Sequence, residues 1–245
     1  MATLKPAALS IAPSADIGRI DSPTVEHELD ACGCAVLTQL LSPDTCRALA
    51  ALYPDDRHFR SRIVMARHGF GRGEYKYFSY PLPDPIARLR PQLYRHLVAI
   101  ANRWNAAMGI DVQYPGEHEA FLARCHQAGQ TRPTPLLLQY VEGDYNCLHQ
   151  DLYGEHVFPL QVAILLSEPG RDFEGGEFVL TEQRPRMQSR AEVVSLRQGD
   201  AVVFAVHNRP VQGTRGNYRV NMRHGVSRLR AGRRHTLGVI FHDAK

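Results

Sequence analysis

The chain has 245 residues, 29 of them lysine or arginine and 25 acidic, a net charge of +4, with 44% apolar and 22% charged residues. These are ordinary values for a globular chain large enough to bury a full core, and they exclude extended disorder over its body. No apolar run reaches the roughly 20 residues of a membrane-spanning helix, and residues 1–23 lack the basic-then-apolar start of a secretory signal, so the expectation is a cytoplasmic protein with no membrane association.

Five scattered cysteines, Cys32, Cys34, Cys46, Cys125 and Cys147, argue for reduced thiols rather than a disulfide framework. Cys32 and Cys34 stand closer together than zinc ligands usually do. Lysine occurs only at Lys5, Lys76 and Lys245, so the basic charge is almost all arginine. That skew permits an acidic partner without demanding one.

Residues 1–22 lack periodic apolar content and are expected to form a loose arm, with 23–245 as a single domain. Gly33 to Leu37 reads as a buried strand. Ser42-Pro43-Asp44 then supplies an N-cap, a helix-compatible proline and a first-turn acid. Asp84-Pro85 opens a longer helix, in which Ile86, Leu89, Leu93, Leu97, Ile100 and Trp104 recur at intervals of three and four and mark one buried face. Pro91 lies inside that stripe as a kink or a second start. A third helix follows Gly116 and includes Phe121, Leu122 and Cys125.

From Pro135 the pattern changes to short runs of branched and aromatic residues: 136–141, 160–166, 177–180 and 201–204, with further candidates at 219–226 and 236–241. Gly-containing turns separate them. Many short strands at close spacing predict a mostly β protein with N-terminal helices, its core a barrel or jelly roll. On this reading residues 23–134 provide helical support and a substrate wall, and 135–245 the catalytic core.

His149-Gln150-Asp151 places two metal-competent side chains at i and i+2, which in an extended strand share a face. In a chain with 12 histidines a lone His-x-Asp arises readily by accident. The order of its surroundings is more specific. Tyr140-x-x-Gly143-Asp144-Tyr145 precedes it; Gly175-Gly176-Glu177-Phe178, Gly199-Asp200-Ala201-Val202-Val203-Phe204, His224-Gly225-Val226 and Gly232-Arg233-Arg234-His235-Thr236-Leu237 follow in turn.

In this order the segment from Leu136 to Asp243 resembles the prolyl-hydroxylase-like branch of the Fe(II)/2-oxoglutarate-dependent oxygenases. The resemblance implies a double-stranded β-helix (jelly roll, cupin-like) core packed by helices. It also implies Fe(II) held by His149, Asp151 and His224, with 2-oxoglutarate anchored by Arg234 and O2 as the oxidant. Two imidazoles and a carboxylate on one face of the metal leave positions open for reaction, and an arginine fork orients a carboxylate better than a lysine does. By its place before His149, Tyr140 is a candidate for the co-substrate pocket or a core tyrosine. His207 rivals His224, but Gly225-Val226 and the step to Arg234 favour His224. Arg233 rivals Arg234, and strand alternation lets only one of the two point inward.

The implied reaction couples decarboxylation of 2-oxoglutarate to succinate with hydroxylation of a substrate C–H bond. The whole chain, including Gly71-x-Gly73-Glu74-Tyr75-Lys76-Tyr77-Phe78 and Leu237 to Asp243, also resembles a bacterial family of oxygenases of alkylated nucleic acid, which implies oxidative demethylation of a damaged base. Hydroxylation of a peptide or protein side chain is the alternative, and a non-catalytic metal- or ligand-binding jelly roll stands as the reading from another class. The aromatic and cationic stretch 67–80 is open to two interpretations. Its tyrosines and phenylalanines can stack on bases while its cations meet phosphates, or they can pack a loop and strand onto the barrel.

Overall fold

The computed structural model describes residues 20–152, 154–214 and 216–245. Most of the expected N-terminal arm therefore lies outside the described residues. Among the described residues the first element is a helix that the sequence reading did not identify, α1 (Ser22–Cys32), burying Val25 and Leu29. It leads into β1 (Cys34–Leu37) and α2 (Pro43–Ala50), whose N-cap Ser42 accepts a hydrogen bond from the Thr45 amide. The long helix α3 (Asp84–Ala107) continues through Pro91 as one element. The buried stripe from Ile86 to Trp104 holds it together against the roughly 3 kcal/mol that an interior proline costs. Helix α4 (His118–Gln127) buries Phe121 and Cys125, as the sequence pattern predicted.

Two strands follow α2: β2 (Phe59–Val64), which the sequence reading did not identify, and β4 (Glu74–Phe78), which agrees with the loop-and-strand reading of 67–80, with the two-residue β3 (Gly71–Arg72) between them. The remaining strands are β5 (Leu136–Val141), β6 (Tyr145–His149), β7 (Leu160–Leu165), β8 (Phe173–Gly175), β9 (Phe178–Gln183), β10 (Arg190–Val194), β11 (Ala201–Ala205), β12 (Asn208–Gly213), β13 (Gly216–Val226) and β14 (Leu229–Val239). They form two sheets with antiparallel pairing. The major sheet runs β1-β11-β7-β14-β5-β4-β2, with β8 against β14; the minor sheet runs β10-β9-β13-β6-β3, with β12 against β13.

The architecture is a jelly roll covered on one side by helices. Strands β7 and β11 are buried along their whole length, because the helices cover one face of the major sheet and the minor sheet faces the other. On the helix side Leu93, Leu97 and Trp104 share a core with Leu137, Ile164 and Val203. Between the sheets lie smaller clusters around Phe178, Leu180 and Phe204 and around Tyr140, Leu165 and Phe173. The N-terminal half also supplies strands to the major sheet: β1 pairs with β11 and β4 with β5. Among the described residues, no helix is long and apolar enough to cross a membrane.

Candidate active site

Each functional side chain is placed by strand register. His149 on β6 and His224 on β13 are direct cross-strand partners in the minor sheet, and their ring centroids stand 4.2 Å apart. Asp151 follows β6 by two residues. The intervening Gln150 donates to the Met222 carbonyl at 2.7 Å, which ties this exit from the strand to β13. His149 Nε2 lies 3.5 Å from Asp151 Oδ1, and His224 Nε2 lies 3.4 Å from Oδ2.

Among the described residues, these three form the one group of three or more His, Cys, Asp or Glu whose ligand atoms converge, all within 4.8 Å of one another. Ligand atoms at about 2.1 Å from a shared ion and at right angles to each other would stand about 3 Å apart, so the group needs little adjustment to close on a metal. His149 Nδ1 is 2.8 Å from the Cys147 carbonyl. Such a bond fixes the tautomer that directs an Nε2 lone pair at the carboxylate side. His224 is buried beside Phe178 and Phe204, and its Nδ1 has no hydrogen-bond partner.

The three groups hold one another's charge. Burial pushes His224 below its ordinary pKa, the Asp151 carboxylate opposing the shift. His149 is also desolvated, but hydrogen bonding and attraction to Asp151 raise it. For Asp151, burial would favour the neutral acid, yet the two imidazoles hold its carboxyl well below the usual range. An anionic carboxylate beside two histidines suits a divalent cation.

Across the cavity the major sheet provides the second half of the site. Arg234 on β14 and Tyr140 on β5 are again direct cross-strand partners, with the guanidinium 5.7 Å from the phenol ring centre. Arg234 is 2% exposed. It donates to Thr236 Oγ1 at 2.7 Å and leaves its Nε without a partner. No carboxylate among the described residues lies within ion-pair distance of it. Desolvation lowers its pKa to about 10. Tyr140 is fully buried, and its hydroxyl, beside Asn146, makes no well-formed hydrogen bond. A buried cation and a buried hydroxyl left over at one end of a cavity fit a carboxylate. Gly176, in the Gly-Gly-Glu turn, makes room for this arginine: a Cβ there would come within 3.1 Å of Arg234 Cδ and 2.5 Å of Leu229.

One cavity of about 250 Å³ contains both halves, lined by His149, Asp151, His224, Tyr140 and Arg234 among others. The two rivals from the sequence stand elsewhere. Arg233 is exposed on the opposite face of β14. His207 is half-buried with its Nδ1 beside the Asn208 side chain and does not line the cavity.

The stretch 67–80 divides three ways. Lys76 and Phe78 point toward the helices, where Lys76 Nζ is held by the Tyr53 carbonyl at 2.8 Å and Asp56 at 2.6 Å, so this lysine is not free to meet phosphate. Tyr75 and Tyr77 point into the cavity, and Phe70 stands at its rim, 44% exposed. The sequence reading missed Gln161, which sits within an apolar run yet lines the same cavity with its amide nitrogen unpartnered. Strand alternation was the signal that could have separated it from its neighbours.

Over residues 73–244 the chain matches the family described as "Oxygenase, catalysing oxidative methylation of damaged DNA". It is 51% identical over 167 residues to uncharacterized proteins from two strains of Mycobacterium tuberculosis, a match covering 68% of this chain and 72% of the relative. Among solved structures it resembles a Pseudomonas putida prolyl-4-hydroxylase (TM-score 0.55, 15% identity, 91% of this chain and 99% of that one). It also resembles an oxidoreductase of the 2OG-Fe(II) oxygenase family from Burkholderia pseudomallei (TM-score 0.51, 16% identity, 91% and 92%). At these identities the structural likeness is one of fold.

Proposed function

Because the chain belongs to the family of oxygenases described as acting on damaged DNA, we propose that it is an Fe(II)- and 2-oxoglutarate-dependent dioxygenase that oxidatively demethylates alkylated bases. An oxygenase inserts oxygen at an N-methyl carbon and so removes the group. In balance, 2-oxoglutarate, O2 and N–CH3 give succinate, CO2 and N–CH2OH, which releases formaldehyde to leave N–H. The observation that carries this reading is the pairing, inside one cavity, of the His149, Asp151 and His224 cluster with a buried arginine that has no acidic partner.

In this proposal His149, Asp151 and His224 hold the iron, which when bound supplies the redox chemistry of O2 activation. Arg234 binds the far carboxylate of 2-oxoglutarate, and Tyr140 adds its hydroxyl there. The apolar walls, Leu136, Leu138, Val226 and Phe204, exclude water from the reacting end. Membership of an oxygenase family sets aside a purely ligand-binding barrel.

Anaerobic addition of Fe(II) and 2-oxoglutarate is expected to give a weak visible charge-transfer band, which His149→Ala abolishes. Arg234→Ala is expected to retain metal binding and weaken 2-oxoglutarate by at least tenfold, the scale of one lost charge-assisted hydrogen bond; unchanged affinity would remove Arg234 from this role. Hydroxylation of a peptide is the competing substrate reading, since one similar structure is a prolyl hydroxylase bound to a hypoxia inducible factor peptide fragment. Succinate production stimulated by peptides and not by methylated oligonucleotides would decide in its favour.

A further inference from the structure

Strand register orders the residues along the major-sheet wall of the cavity. Arg234 pairs with Tyr140 at one end. Two residues along β14, Thr236 pairs with Leu138 and Leu165; two further, Gly238 pairs with Leu136 and Ala163, and Leu136 is the partner of Tyr77 on β4. Beyond that layer Gln161 pairs with Phe204, whose ring lies 4.5 Å from that of His224. Gly238 and Ala163 are the small residues of the layer between Arg234 and the part of the wall with Tyr77 and Gln161, and Leu136 packs over Gly238, where a Cβ would stand 3.1 Å from its Cγ.

That part of the wall has the chemistry of a ring-binding site. Tyr77 offers an aromatic surface, with the Arg60 guanidinium 4.5 Å from its centre. Gln161 is 4% exposed, and its Nε2 is buried without a hydrogen-bond partner. An unpaired buried amide costs roughly 1–3 kcal/mol, which a ligand acceptor would recover. No charged side chain lines this end apart from Asp151 near the metal cluster. A planar ring with a polar edge fits an aromatic surface beside an unpartnered amide. The exposed Arg67 and Arg72 lie in the segment flanking Phe70 at the rim.

We propose that Gln161 is the specificity-determining residue of this enzyme, its side-chain amide donating to an acceptor on the edge of the substrate base while Tyr77 stacks on the ring. This rests on the nucleic-acid reading of the site. An enzyme acting on an extruded base reads it by edge hydrogen bonds and stacking, and a site built around a buried donor rejects ligands that leave the donor unpaired. Gln161 and Arg234 lie on neighbouring strands of the same wall, displaced along it by the layers in which Thr236 pairs with Leu165 and Gly238 with Ala163, so the role of Gln161 is separable from co-substrate binding.

The test uses the full chain, loaded anaerobically with Fe(II) and 2-oxoglutarate, and single-stranded DNA oligonucleotides carrying one 1-methyladenine, one 3-methylcytosine or no lesion. Binding is read by fluorescence anisotropy and 2-oxoglutarate affinity by titration of the charge-transfer band. Gln161→Leu keeps the bulk and removes the amide. It is expected to weaken at least one methylated oligonucleotide about tenfold, to change the ratio between the two lesions and to leave 2-oxoglutarate affinity as in wild type. Tyr77→Leu is expected to weaken both lesions by a similar factor, and Tyr77→Phe to restore binding. Wild-type discrimination that survives Gln161→Leu unchanged would overturn the assignment, as would a loss confined to 2-oxoglutarate. If wild type does not distinguish methylated from unmodified DNA, the substrate reading fails before the role of Gln161 is reached.

Discussion

Arg90 and Asp243 form a buried ion pair at 2.9 Å behind the cavity, with both side chains almost wholly inaccessible. Asp243 also accepts from Tyr80 at 2.9 Å and meets His126 Nε2 at 2.9 Å. Burial opposes the charge on Asp243, but Arg90, His126 and Tyr80 outweigh it and hold the carboxyl below its ordinary pKa. A carboxyl depressed in the folded state contributes stability that is present above its unfolded pKa of about 3.9 and is lost as pH falls through the folded value. Asp243→Asn is therefore expected to destabilise the protein at pH 7 by on the order of 3 kcal/mol, because it strands a buried guanidinium. Urea unfolding should show the gap from wild type narrowing below about pH 4. A gap independent of pH would mean that packing rather than charge explains the loss. None of this network was legible in the sequence, since Arg90 lies on a helix and Asp243 near the C-terminal end and only the fold joins them. The cluster of His149, Asp151 and His224 was legible because two of its members are two residues apart and the third has a recognisable surrounding. Gln161 was hidden by the apolar residues on both sides of it.

At the scale of elements, short strands with distinct apolar runs were readable, and so was the long helix. The strands β2 and β3 were not, and β4 only as the loop-and-strand reading of 67–80, because 59–78 mixes glycine, charge and aromatic residues without clean alternation. Their identity comes from tertiary pairing: Tyr77 opposite Leu136, and Gly71 opposite Asn146. The same pairing explains why the glycines of this stretch do not simply confer mobility. At Gly71, φ is +124° and any Cβ would collide with the Tyr145 carbonyl oxygen, so the glycine permits β3 to lie against the strand that carries His149. The Cys147 amide donates to the Phe70 carbonyl at 2.9 Å. Gly71→Ala is expected to break this contact, and hydrogen exchange at the Cys147 amide should accelerate at least tenfold relative to amides in β7. Equal protection in both proteins would show that β3 tolerates the side chain.

Over the whole molecule the sequence divided into a helical first half and a β-rich second half, and the chain does contain both. The sheets cross that division, because β1 and β4 from the first half are hydrogen-bonded into the same sheet as β5, β7, β11 and β14. A fragment of residues 135–245 would expose two strand edges and one face of the major sheet. It is expected to lack cooperative thermal unfolding and to bind neither metal nor 2-oxoglutarate; a sharp melting transition for that fragment would show the second half to be self-sufficient. The hairpin of β13 and β14 carries His224 on one arm and Arg234 on the other, and each pairs with a residue much earlier in the chain, His149 and Tyr140. These are non-local contacts, which close slowly in folding because loop entropy is lost before they form. Both therefore become complete only when the hairpin docks into the two sheets. Of the three ligands of the proposed iron site, an unfolded chain keeps only His149 and Asp151 close together, so on that proposal the ion would be a late arrival in folding, captured by a finished barrel rather than guiding its formation.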